Sequence, residues 1–304
     1  MTLKSYLEEL VQDGVPIRYA ELVELSALGP DEMELVRMAW PRIAPDRRLT
    51  LVARLVETSE DNVDLDFTQI YKLALKDDGE KVRAKAVTGL WECYERPLMT
   101  ILLRLLQHDP SMEVRTAAAQ ALGKYAEMAE DGKLLPNDRN RIQAALLPLV
   151  EDAAGPVDLR RRALEAAGVF SDARVTQLIH SAYEHPDPRM QQSAIFAMGR
   201  NANPEWMTTI QGALEREEPA MRYEAAQACG EMGSEEMVPH LLPLLKDEDL
   251  QVRLSSINAL GAIGGSVAKK ALTACCRSDD EAISQTASEA LASLEMEEDP
   301  LHFK

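Results

Sequence analysis

Residues 247–261 read Asp247-Glu248-Asp249-Leu250-Gln251-Val252-Arg253-Leu254-Ser255-Ser256-Ile257-Asn258-Ala259-Leu260-Gly261. An acidic turn, a helix-start signal, is followed by Val252, Ser256, Ala259 and Leu260, which share one side of a 3.6-residue helix. The pattern is an apolar anchor, often Arg next, a small residue at +4, often Ala at +7, apolar at +8 and often Gly at +9. It returns from Val82, Val114, Leu159, Met190, Met221, Val252 and Ile283, at intervals of 32, 45, 31, 31, 31 and 31 residues. A weaker eighth copy starts at Leu49, with Ala53 at +4 and Val56 at +7. Five consecutive anchors at one interval identify an internal repeat. A repeat has to be settled first, because an unnoticed period mis-assigns the whole fold.

Working outward, each anchored helix is preceded by Pro and acidic residues, as in Asp109-Pro110, Pro186-Asp187-Pro188 and Glu218-Pro219. Upstream of each lies a second apolar segment, for example Met237-Val238-Pro239-His240-Leu241-Leu242-Pro243-Leu244-Leu245. The unit is therefore helix A, an Asp-containing turn and helix B. The +9 glycines (Gly123, Gly168, Gly199, Gly230, Gly261) sit near helix ends, where they permit close packing or a left-handed terminus. One such pair cannot cover its own apolar face, but stacked neighbours can. The expected fold is all-α, with seven or eight stacked helix pairs in one continuous array over 31–296. Residues 1–30 carry two stripes outside the repeat, Leu3, Leu7, Leu10, Val11 and Leu22, Val23, Leu25, Leu28, expected to form two capping helices. The acidic tail 297–304, with Pro300, is expected to fray.

Val252-Arg253 after Asp247-Glu248-Asp249, and Val82-Arg83 after Asp77-Asp78, resemble the D-x-x-V-R-x-x-A-x-x-A-L-G signature of HEAT repeats. The resemblance is greatest to the short bacterial HEAT-like repeats of phycobilisome lyases. It implies a right-handed α-α superhelix whose B helices line the concave side. It also implies an inter-repeat ladder of turn Asp and following Arg, here Arg83, Arg115, Arg160, Arg222 and Arg253, incomplete near Gln191 and Ser284. Some members of that family attach bilins to phycobiliproteins or assist their assembly, which is the alternative functional reading. The HEAT-like deoxyhypusine hydroxylases bind iron through His-Glu dipeptides, and this sequence contains none.

Composition narrows the remaining choices. Of 304 residues, 46% are apolar and only 5% aromatic, which suits closely packed helices over strand-rich cores. The net charge of −18, with Arg160-Arg161-Arg162 the only dense basic run, argues against nucleic-acid binding. Cys93, Cys229, Cys275 and Cys276 form no C-x-x-C pair, and the N-terminus shows no signal peptide, so a reduced cytoplasmic protein is expected. The five histidines have no metal-ligand spacing; His108 and His185 fall at the ends of A helices, where a cation complements the dipole. Glu57-Thr58-Ser59-Glu60-Asp61 reads as a solvated turn. No phosphate loop, nucleophile elbow or zinc motif is present, so no catalytic residue, metal or cofactor is expected.

What remains is a surface. With the buried arc of helix B centred near +4, positions +2 and +6 face outward. From Gln192 to Asn258 they place one large apolar residue per repeat among carboxamides: Gln192 and Phe196, Tyr223 and Gln227, Leu254 and Asn258. Such a row suits another protein or a peptide, because amides can pair with its backbone. The competing structural reading folds Phe196, Tyr223 and Leu254 back to complete the core. The 45-residue interval adds about 14 residues around Tyr125–Asn140. These form either a binding element or a lengthened helix and loop. The expected function is a non-catalytic interaction scaffold or adaptor.

Overall fold

A computed structural model describes residues 2–298; 299–304, most of the tail expected to fray, lie outside the described residues. The described residues form eighteen α-helices and five short 3₁₀ segments, without a strand. Their packing divides them into two compact units. Unit 1 runs to Met128 and includes Leu134–Ala145; unit 2 holds Ala129–Lys133 and the chain from Leu146.

Unit 1 contains α1 (Leu3–Val11), α2 (Pro30–Ala39), α3 (Pro45–Asp61), α4 (Thr68–Ala74), α5 (Glu80–Gly89), α6 (Arg96–His108) and α7 (Met112–Ala121). Helices α3, α5 and α7 are the B helices and stack in sequence; α4 packs on α5, and α6 on α7. Helices α8 (Gly123–Glu130) and α9 (Pro136–Glu151) carry the boundary between the units. Unit 2 contains α10 (Val157–Ala167), α11 (Ala173–Tyr183), α12 (Pro188–Asn201), α13 (Met207–Leu214), α14 (Pro219–Met232), α15 (Val238–Leu241), α16 (Leu250–Ile263), α17 (Gly265–Cys275) and α18 (Glu281–Glu298). Its B helices α10, α12, α14, α16 and α18 again stack consecutively.

The anchor pattern is the core pattern. Met190, Ala194, Ala197 and Met198 of α12 are buried, as are Val252, Ser256, Ala259 and Leu260 of α16. The Ser256 hydroxyl donates to the Val252 carbonyl at 2.9 Å, so burying it leaves no orphan donor. Turn aspartates cap the next helix: the Asp249 carboxylate accepts from the backbone N–H groups of Gln251 and Val252. The +9 glycines serve close packing. A Cβ on Gly168, Gly199, Gly230 or Gly261 would meet Ala197, Ala228, Ala259 or Ala290, the +7 alanine of the next repeat, at 2.7–3.1 Å. None of these four has a positive φ.

Local expectations change in four places. Residues Tyr19–Leu25 form a 3₁₀ segment in place of a second capping α-helix, with Leu22 and Leu25 buried and Val23 exposed. Three-residue spacing puts the two leucines on one face of that tighter helix. The Leu-rich segment before α16 is broken into α15 and a 3₁₀ turn, Leu242–Lys246, where Pro243 has no N–H to continue an α-helix. The 14 extra residues become α8 and a longer α9, joined by a turn at Gly132 with φ +72°. Glu297 and Glu298, placed in the fraying tail by the sequence, end α18.

Candidate functional site

The outward row lies on α12, α14 and α16, all in unit 2. Its +6 members, Phe196, Gln227 and Asn258, are exposed; its +2 members, Gln192, Tyr223 and Leu254, are half-buried. The +2 side chains are thus partly covered and the +6 side chains open to solvent. Phe196 is the large apolar residue left most open in the row, at 36% exposure. The Gln227 amide donates to the Tyr223 phenol oxygen at 2.7 Å, and the Ser255 hydroxyl donates to the Tyr223 carbonyl at 3.1 Å. The ring is thus held before any partner arrives.

Beside this row sits a charged cluster. Arg161 and Arg162 of α10 pair with Glu165, whose carboxylate also accepts from the Ser193 hydroxyl of α12 at 2.5 Å. Burial, reinforced by the charge of Glu165, pushes the Glu224 carboxyl of α14 up to about 7, against the pull of Arg161 and Arg162. The face therefore carries one acid that titrates near neutrality. Among the described residues no group of three or more His, Cys, Asp or Glu is placed to hold a metal ion.

The ladder arginines divide. Arg83 makes a two-pronged pair with Asp109 at 2.8 and 2.9 Å, and Arg222 with Asp247 at 2.7 and 2.8 Å. Each also donates to carbonyls of its own turn, Asp77 and Asp78 for Arg83, Arg216 and Glu217 for Arg222. Hydrogen bonds from Arg222 hold the Asp247 carboxyl below its ordinary range against burial. Arg115 and Arg160 reach only the Leu106 and Val150 carbonyls, and Arg253 comes no nearer than 3.8 Å to Asp280. The reason lies five residues before the next anchor. Asp109 and Asp247 stand there for Arg83 and Arg222, whereas Arg115, Arg160 and Arg253 face Ala154, His185 and Ser278. In place of five rungs there are two full ones. Gln191 keeps the half within its own turn, donating to the His185 carbonyl at 2.8 Å. A further rung comes from outside the expected set: buried Asp77 accepts from Arg48 and from the Trp40 indole, each at 2.7 Å.

The sequence reading passed over a cleft in unit 1, about 320 Å³ in volume, between α5, α7 and the start of α8. Trp91 and Tyr94 stand exposed at its rim and Lys124 lies at its side. The available signal was Trp91, which occupies the +9 position where most copies carry Gly.

Comparison with known proteins places this architecture. The HEAT-repeat family matches residues 68–135 and 206–292. The complex of CpcE and CpcF of phycocyanin lyase from Nostoc sp. PCC7120 is similar over 93% of this chain and 97% of that one, at 17% identity and a TM-score of 0.55. Human deoxyhypusine hydroxylase in complex with glycerol is similar over 96% of both chains, at 20% identity and a TM-score of 0.39. No curated protein matches the chain. No helix among the described residues is long and apolar enough to cross a membrane. Repeated A–B pairs, glycine-on-alanine stacking, Arg–Asp rungs and a family match over half of its residues make this chain a member of the HEAT-repeat family.

Proposed function

We propose that the chain is a non-catalytic scaffold that holds a protein or peptide partner on the B-helix face of α12, α14 and α16. The observation that carries this reading is Phe196, an aromatic side chain standing out from a helix whose neighbouring positions are packed to near-complete burial. Gln192 on the same helix, and Gln227 and Asn258 on the two B helices that follow, add amides able to pair with a partner's backbone, and Tyr223 is already oriented by Gln227. Aromatic anchors ringed by neutral polar groups are the usual energetic centre of a protein interface. Affinity purification from the native host, with the captured protein identified by mass spectrometry and then purified, supplies the partner. Phe196→Ala with Tyr223→Ala should weaken its binding at least tenfold, about 1.4 kcal/mol or more. Unchanged affinity would remove the row from the interface. The alternative, a chromoprotein-assembly factor of the phycobilin-lyase type, draws on the fold shared with CpcE and CpcF. Absorbance of the protein purified from its host, or bilin transfer in a defined mixture, tests it.

A further inference from the structure

The cleft in unit 1 combines three features. Its rim is aromatic: Trp91 is 49% and Tyr94 54% exposed, large apolar surfaces left in water. Its floor is open because the facing side chains of α7 are small, Ala117 and Ala121, with exposed Thr88 and Gln120 beside them. Its side carries a half-buried ammonium. Lys124 Nζ donates to the Leu90 carbonyl at 2.6 Å and the Trp91 carbonyl at 2.9 Å, and lies 5.1 Å from the centre of the Tyr94 ring.

Two of the three N–H donors of that ammonium are used by the carbonyls ending α5, which leaves one. No carboxylate pairs with Lys124 among the described residues, although the chain has 51 acidic residues against 33 basic ones. Burial lowers its pKa to about 8, with only the Cys93 thiol, which raises it, acting the other way. An anion entering the cleft would supply the missing partner. At about 320 Å³ the cleft is at the lower end for ligand pockets and has room for one ring-bearing residue with its carboxylate. Ring sites and ammonium stand within one residue's reach of each other, so a residue that carries both a ring and a carboxylate would engage them together. In a polypeptide, that is the chain terminus.

We propose that the cleft binds the C-terminal aromatic residue of a peptide, its ring against Trp91 and Tyr94 and its carboxylate on Lys124. The site lies in a different unit from Phe196 and does not rest on the function proposed for that row. Protein carrying Phe196→Ala with Tyr223→Ala therefore retains it.

Trp91 is a ready reporter, because Trp40 and Trp206 are buried. The probe is an acetylated Gly-Gly-Gly-Phe peptide, titrated as the free acid and as the C-terminal amide while Trp91 emission is followed. The acid should bind about tenfold or more tighter than the amide at pH about 6.5. That preference should shrink by pH about 9.5, as the ammonium loses its proton. It should vanish in Lys124→Met and survive in Lys124→Arg, and Trp91→Phe should abolish the signal. A lysine that only ties down the α5 terminus would change stability without creating any preference for acid over amide. Equal affinity for the two peptides, no saturable change in emission, or a preference that survives Lys124→Met would overturn the proposal. If Lys124→Met fails to fold, Lys124→Arg and the pH series decide the question.

Discussion

At the scale of single residues, the rule that emerges is positional. An Arg one residue after an anchor forms a rung only where Asp stands five residues before the next anchor, as for Arg83 with Asp109 and Arg222 with Asp247. Both Arg222 and Asp247 are largely shielded from water, so Arg222→Ala leaves a carboxylate stranded and should cost about 2–4 kcal/mol in urea unfolding. Arg160→Ala, which removes only a contact to the Val150 carbonyl, should cost about 1 kcal/mol or less. Equal losses would contradict the rule. Glu224 acts in the opposite sense. Its carboxyl is raised to about 7 in the folded chain, so it is harmless where both folded and unfolded forms are protonated, near pH 4. Its penalty grows as pH rises from the ordinary carboxylate range through about 7. Glu224→Gln should therefore stabilise the protein by roughly 2 kcal/mol at pH 8 and change little near pH 4, a difference that thermal melts at the two pH values would show.

At the scale of elements, the stack depends on how closely B helices approach. Gly199 lies where a Cβ would come within 2.7 Å of the Ala228 backbone, and backbone cannot swing aside as a long side chain can. Gly199→Ala should destabilise by about 1–3 kcal/mol. Gly212→Ala, in the interior of α13 with nothing within 4 Å, should stabilise by about 0.5–1 kcal/mol. Chemical unfolding of the two single variants, side by side, checks both signs. These contacts also explain what was legible beforehand. The B helices and their period were readable because the core positions recur in every copy, with a close-approach Gly in most and a capping Asp in several. The segments that departed, Tyr19–Leu25 and Leu242–Lys246, are those where three-residue leucine spacing or an internal Pro overrides the apolar stripe. The missing rungs needed two turns to be compared across a repeat, which a motif confined to one repeat does not do.

At the scale of the whole molecule, the chain is an array of similar packing units, and the proposed function uses positions that packing leaves free. Position +6 was correctly readable as outward from helical geometry alone. The partial burial of Gln192, Tyr223 and Leu254 was not, because burial depends on tertiary packing as well as on position around one helix. The Trp91 cleft was hidden because residues 87–94 and 117–124, from two consecutive repeats, meet to form it. The central claim is that the Phe196 face is a partner surface and not surplus core. Its most direct test is the dissociation constant of the purified partner for the wild-type chain and for Phe196→Ala with Tyr223→Ala, with both melting temperatures recorded. The account predicts a loss of affinity of at least about tenfold with the melting temperature nearly unchanged. Unchanged affinity would remove these side chains from the interface, and a large fall in melting temperature would show that they belong to the packing of the repeats.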